Sequence, residues 1–426
     1  MKPKNNFQRH IIGEYKKLPK ITPAQKRYAF KHCFDHIGKR NAKGMVTCLE
    51  CGHKWQSGGE LADTLLGNTC PHCNTELKIN ITRTQVFKQT EYFCIVTTHG
   101  EFQVLRFFLV KAFYKAGEKA FYTIDEVVQR WIAPNGKNVA ITKSRFTMSL
   151  CYDLWSVGSQ MEVRNYHKSQ DIYPAAIYPR QRYIHEIERC NFSGDYHGVM
   201  PFDFLHRILT DNKAETLLKT GQGRLLSHFI RSATPIENYW STIRICLRNN
   251  YAIEDGSIWC DYIDLLKHFG KDAHSPKYVC PSNLHEEHNR YVFEKEGDEL
   301  NKALMKKQSV IETEEPLYKE QKGIFFGIQF TDGEISVSVL ENVKAVFEEG
   351  FLMKHCVYRN KYHLKQDRLI LSATINGNRI ETVEVSLTTM QVVQCRGVDN
   401  KNTQYHDRII SLVNKNINQI RSRMAA

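Results

Sequence analysis

The chain has 426 residues, 42% of them apolar and 25% charged, enough for about two to four domains with at least one sizeable core. No run of eighteen apolar residues occurs, and Met1-Lys2-Pro3-Lys4-Asn5-Asn6 lacks the apolar stretch of a signal peptide, so a cytoplasmic protein that does not enter a membrane is expected. Thirteen cysteines, an odd number and mostly scattered, exclude a small disulfide scaffold and suit a reducing compartment.

The net charge of +13 is unevenly placed, because residues 1–47 hold twelve Lys/Arg against Glu14 and Asp35. Such a concentration is an electrostatic footprint for a polyanion, DNA or RNA above all, or for an acidic protein partner; a solvated tail is the plainer alternative. Residues 1–21 read as a basic arm. Thr22-Pro23 then supplies an N-cap with proline at the first helical position. Tyr28, Phe30, Phe34 and Ile37 form an apolar stripe running to Gly38, and Lys26, Arg27, Lys31 and Lys39 the opposite face. With Arg40, these four are the expected phosphate contacts, and residues 1–44 the first module.

Residues 45–82 carry the strongest motif, Cys48-Leu49-Glu50-Cys51 and, eighteen residues on, Cys70-Pro71-His72-Cys73. Two CxxC knuckles at this separation can bring four thiolates onto one Zn²⁺ as a closed structural ribbon. Gly52 and Asn74 follow the knuckles where the backbone must turn sharply, and Trp55 gives the module an apolar body.

Residues 83–164 read as an antiparallel meander of strands at 92–98, 101–115, 120–132 and 137–148, separated by His99-Gly100, Gly117 and Pro134-Asn135-Gly136. Arg106, Phe107, Phe108, Lys111, Phe113 and Tyr114 interleave charge and aromatics, as a base-stacking surface or a half-buried sheet would. Residues 165–310 turn helical, with helices expected at 202–209, 214–220, 223–232, 238–249 (opened by a capping box at Thr234-Pro235-Ile236-Glu237), 259–269 and 284–308. His285 and His288 share one helix face without forming an HExxH motif. The polar stretch 311–320 reads as a linker.

The last module, residues 322–426, is expected to hold a helix at 341–349, strands at 368–375, 379–387 and 391–396 with a hairpin turn at Asn376-Gly377, and a final helix at 405–421. A two-residue period places Leu369, Leu371, Ala373, Ile375, Val383, Val385, Leu387, Val393 and Cys395 toward helices. The other face collects Ser372, Thr374, Thr382, Glu384, Ser386, Gln394 and Arg396, a set able to bind phosphate or a polar ligand, or an ordinary solvated face. His355-Cys356 lies next to it. Neighbouring residues point apart, so the pair needs a partner from elsewhere to act as a nucleophile and base. The fold class is therefore α+β and multidomain.

Met353-Lys354-His355-Cys356-Val357 with Tyr362, Thr382-Val383-Glu384-Val385, and Gln394-Cys395-Arg396-Gly397 with Asn400 resemble the PcfJ-like family, as do Trp259-Cys260-Asp261-Tyr262, Cys280-Pro281-Ser282-Asn283-Leu284 and His288. Tyr358 departs from the glycine that follows His-Cys-Val in that pattern. The resemblance implies a bacterial mobile-element context, conjugative plasmids included, with possible partners from the same element, and no defined activity. The leading expectation is a nucleic-acid-binding accessory protein. The alternatives are a nuclease or nucleotide-modifying enzyme using His355, Glu384, Gln394 and Arg396, and a protein-interaction scaffold.

Overall fold

A computed structural model describes residues 3–57, 67–148, 152–164, 172–232 and 234–425. The chain is α+β and divides into two compact units, Met1–Cys260 with Asp272–Cys280, and Asp261–Lys271 with Pro281–Ala426.

The first unit opens with α1 (Asn6–Glu14), capped by the Asn5 side chain, and α2 (Pro23–His32), where Thr22 and Gln25 complete a capping box around Pro23. α2 stops at Cys33, short of the expected Gly38. The chain is taken instead into β1 (Ile37–Arg40), which pairs antiparallel with β2 (Met45–Cys48) and parallel with β5 (Glu76–Ile81). β3 (Lys54–Gln56) and β4 (Asn68–Thr69) complete the five-stranded order β3-β2-β1-β5-β4. Lys39 and Arg40 therefore belong to a central strand, 8% and 3% exposed, and not to the outer face of α2.

The larger sheet has the order β12-β9-β8-β7-β6-β13. Its body is the expected meander, β6 (Val86–His99), β7 (Phe102–Lys115), β8 (Phe121–Ile132) and β9 (Asn138–Thr142), with short edges β12 (Glu162–Val163) and β13 (Ala176–Ile177). β10 (Ser144–Met148) and β11 (Tyr152–Ser156) pair separately, so the last expected strand breaks at Lys143. On one face, Phe93, Ile95, Phe108, Val110 and Tyr114 pack on Ala29, Phe34 and Leu49, while Val104, Trp131 and Ile141 pack on Ile11 and Leu18. The charged and aromatic run in β7 is thus no stacking surface: Phe107, Phe108 and Tyr114 are buried, and Arg106 is spent on Glu126 (2.7 and 2.8 Å) and the Pro19 carbonyl. Among the described residues seven helices follow, α3 (His185–Glu188), α4 (Pro201–Thr210), α5 (Asn212–Lys219), α6 (Gly223–Arg231), α7 (Trp240–Arg248), α8 (Gly256–His268), of which Asp261–His268 belong to the second unit, and α9 (Pro276–Val279). The capping box expected before α7 is replaced by a 3-10 turn, Ile236–Asn238, that tucks Ile236 into the core and has no side-chain cap.

In the second unit α10 (Leu284–Lys322) runs unbroken through the expected linker, Pro316 included. Packing overrides the polar sequence there: Ile311 and Tyr318 are buried against α11 (Val343–Leu352), the Tyr318 hydroxyl donates to Leu340 O at 2.6 Å, and Glu315 caps α11 by accepting from Val343 N at 2.8 Å. α11 continues past Gly350, where a side chain would come within 3.2–3.3 Å of Val357 and the His355 carbonyl and those neighbours would have to give slightly.

The sheet has five strands, β14 (Gln329–Thr331), β15 (Ile335–Val339), β16 (Arg368–Ile375), β17 (Asn378–Ser386) and β18 (Gln391–Arg396), in sequential order. Asn376 and Gly377 both have positive φ, the hairpin geometry expected of Asn-Gly. α12 (His406–Ala425) covers the face bearing Leu369, Leu371, Val383, Val385 and Cys395. A bulge between Glu384 and Val385 pairs Val385 with Val392, so Val392 packs inward and Val393 is left 49% exposed, a reversal of its expected side.

Lys322 ends α10 fully buried, its Nζ donating to Lys365 O (3.0 Å) and Gln366 O (2.8 Å), and burial holds its pKa down to about 8 against the pull of Asp367. The unfolded chain keeps that proton to about 10.4. Between these values folding releases a proton, so raising the pH favours the folded state. The stability of the wild type relative to Lys322→Met is expected to rise from pH 7.5 to 9.5 in denaturant unfolding. A constant difference would contradict this.

Candidate functional site

The four ribbon cysteines come together as the spacing requires. Cys48 and Cys73 Sγ are 3.8 Å apart, Cys51 and Cys70 Sγ 3.7 Å, and all four sulfurs lie within 4.8 Å of one another. An ion bound tetrahedrally at about 2.3 Å from each sulfur would hold neighbouring sulfurs about 3.8 Å apart, so the cluster fits a metal ion. Both knuckles turn alike: Gly52 N donates to Cys48 O and Asn74 N to Cys70 O, each at 2.9 Å, with φ of 80° and 58°. A side chain on Gly52 would also strike the Gly117 backbone at 2.8 Å. Burial works against ionising Cys73, yet the Thr75 hydroxyl and amide outweigh it and bring the thiol down to about 7. Glu50, inside the first knuckle, accepts from Tyr122 and contacts His36 Nδ1 at 2.6 Å, docking the ribbon on the larger sheet.

Beside the cluster a cleft of ≈ 650 Å³ is lined by Lys39, Arg40, Lys43 and Arg83, with the exposed Ile81 among them. None of its described lining residues is acidic. Lys39 and Arg40 lie in its floor, whereas Lys43 and Arg83 are exposed. Lys26, Arg27 and Lys31 stand exposed on α2, and the cleft does not include them. Sequence reasoning missed Lys43 and Arg83 because pairing of β1 with β5 is what sets them together.

In the second unit, His355, Glu384, Gln394 and Arg396 line one small cavity of ≈ 30 Å³, together with Cys356 and Asn400. The polar sheet face is not the solvated one considered from the sequence, since α11 and the loop after it cover it and leave Thr382 and Glu384 7% and 8% exposed. His355 uses both ring nitrogens, Nδ1 against Thr382 Oγ1 (3.2 Å) and Nε2 against Gly397 O (2.6 Å), and so ties its loop to β17 and to the turn after β18. The Thr382 hydroxyl donates to Glu349 (2.8 Å), which also accepts from Arg379 Nε (2.8 Å). Burial drives the Glu384 carboxyl up, partly offset by Arg368 at 3.3 Å. Arg396 donates to Asn402 and Gln394 is exposed. Cys356 makes no pair with His355, whose nitrogens are engaged elsewhere.

Two carboxylates escaped the sequence reading. Glu349 sits on a helix that hides its inward face, and Glu381 shares the inward face of Val383 by the same two-residue period, so that period was the available signal. His288 bonds Asp261 at 2.7 Å and is not part of a metal-ligand cluster among the described residues.

No helix among the described residues is long and apolar enough to cross a membrane. No curated protein and no solved structure matches the chain. The family model described as PcfJ-like protein matches residues 258–410, a span that contains the His355 cavity, β14 to β18 and the start of α12. Over that region, about a third of the chain, the sequence is similar to the PcfJ-like family.

Proposed function

We propose that this is a cytoplasmic nucleic-acid-binding accessory protein of a bacterial mobile element, in which the cysteine cluster holds a structural Zn²⁺ and the cleft beside it grips the phosphate backbone of DNA or RNA. The cleft lined by Lys39, Arg40, Lys43 and Arg83, with no acidic residue among its described lining, is the observation that carries this reading. Cations gathered on one groove attract a polyanion and release its counterions more strongly than the same charges scattered over a surface. No aromatic side chain is among its described lining residues, so these contacts position the backbone without reading bases. The exposed cations of α2, Lys26, Arg27 and Lys31, extend the positive field. The mobile-element context comes from the PcfJ-like resemblance.

The double variant Lys43→Glu/Arg83→Glu tests the reading. It is expected to weaken binding to labelled single- or double-stranded polynucleotides by at least about tenfold at low salt, because two phosphate contacts become repulsions. Unchanged affinity in a folded variant would refute it.

The convergence of His355, Glu384, Gln394 and Arg396 on one cavity favours a second reading, an enzyme acting on nucleotides or nucleic acid. Glu384→Gln and Arg396→Ala are then expected to abolish turnover of a bound probe while leaving the melting temperature within a few degrees. Probe degradation surviving both would remove these residues from the chemistry.

A further inference from the structure

Glu381 is an ionisable group placed where apolar packing alone would not put one. It pairs with Ala373 in regular register, two residues from Val383 and on the same face of β17, which turns it toward α12, where it is fully buried on the face that carries Leu371, Val383 and Ile409. Burying a carboxylate in such surroundings costs several kcal/mol unless its oxygens are satisfied. Both are engaged: Oε1 accepts from Thr403 N and Thr403 Oγ1, both at 2.7 Å. The other, Oε2, meets Cys395 Sγ and His406 Nδ1, each at 2.8 Å.

Those two partners are metal-ligating types, and the three donor atoms lie within 4.8 Å of one another. The sulfur contact is also unusually close. Sulfur–oxygen hydrogen bonds at Cys73, Cys190, Cys246 and Cys33 span 3.1 to 3.9 Å. Cys395 and His406 further line a groove of ≈ 450 Å³ beside the edge strand β18, with Gln394 and Arg396 on the same wall.

We propose that Glu381 Oε2, Cys395 Sγ and His406 Nδ1 form a second metal site, for a divalent cation of the zinc class, with its fourth coordination position open to this groove. A carboxylate, a thiolate and an imidazole are a donor set for a borderline-soft ion, and three protein ligands with one open position contrast with the closed four-sulfur ribbon. Thr403 fixes the ligating carboxylate from behind, as an outer-shell partner does. Binding releases the Cys395 thiol proton and leaves the imidazole proton on Nε2. Ligand bonds of about 2.0–2.3 Å require the three donors to spread by roughly half an ångström, and His406, in the first turn of α12, has the most exposed side chain of the three at 19%.

The test is metal stoichiometry on the full chain, saturated with Zn²⁺ and then freed of excess. Two equivalents are expected for the wild type and one for Cys395→Ser and for His406→Gln, with the ribbon ion retained. Substitution with Co²⁺ should give the wild type sulfur-to-metal charge-transfer absorption from five thiolates, a readout that needs no variant to fold. One equivalent in the wild type, four-thiolate absorption, or a second equivalent retained in both folded variants would overturn the proposal.

Discussion

Stripping the ribbon with a strong chelator, or replacing Cys51 by serine, is expected to unfold residues 37–57 and 67–81. The cause lies in how small this core is. Val46, Leu77 and Ile79 pack around Cys48 and Cys70 themselves, with Cys51 and Trp55 against them, so three of the seven residues in the cluster are the ligands that hold it together. A structural Zn²⁺ contributes on the order of 10 kcal/mol through its ligands, far more than three aliphatic side chains can. Amide hydrogen exchange reads the outcome directly: β1, β2 and β5 should lose protection on chelation. Because β1 and the residues after β5 wall the basic cleft, polynucleotide binding should be lost in the same step. Full protection after the metal is gone would show that the ribbon stands on packing alone.

Glu349→Ala is expected to be the most destabilising single change in the second unit, by about 3–5 kcal/mol. The carboxylate is fully buried and receives the Arg379 guanidinium and the Thr382 hydroxyl. Removal strands both donors and frees Thr382 from the chain that reaches His355 and Gly397 O. Burial itself pushes the Glu349 carboxyl up, with Thr382, Ser372 and Arg379 pulling the other way, so the site tolerates the charge only with every partner in place. By comparison, Arg408→Ala, which breaks an exposed pair with Asp332 and Glu334, should cost no more than about 1 kcal/mol. Equal losses for the two variants in denaturant unfolding would contradict this ranking.

Features fixed by local chemistry were legible in the sequence. The paired CxxC knuckles, the Thr22-Pro23 cap, the Asn376-Gly377 hairpin and the alternation along β16 and β17 each depend on residues close in the chain. What escaped depends on partners far away. The 311–320 stretch is polar enough to read as a linker, but Tyr318 and Glu315 acquire helical roles from α11 and the loop before it. Gly38-Lys39-Arg40 continues a helical pattern in sequence, and only pairing with β5, some forty residues on, makes it a strand. A bulge decides which side Val393 takes, and an unpaired residue leaves no mark on a two-residue period. For the same reason the residues of the His355 cavity could be gathered on one sheet face in advance, while its cover, supplied by α11, could not.

The most direct test of the central claim is the salt dependence of polynucleotide binding by the wild-type chain. Each cleft cation that displaces a counterion adds about −0.9 to the slope of log K against log salt on duplex DNA, so the exposed Lys43 and Arg83 alone should give about −1.8, roughly a twelvefold loss of affinity between 50 and 200 mM. Lys43→Glu/Arg83→Glu should flatten that slope by about two. Absence of binding to single- and double-stranded DNA and RNA at 50 mM salt, or binding indifferent to salt, would contradict the account.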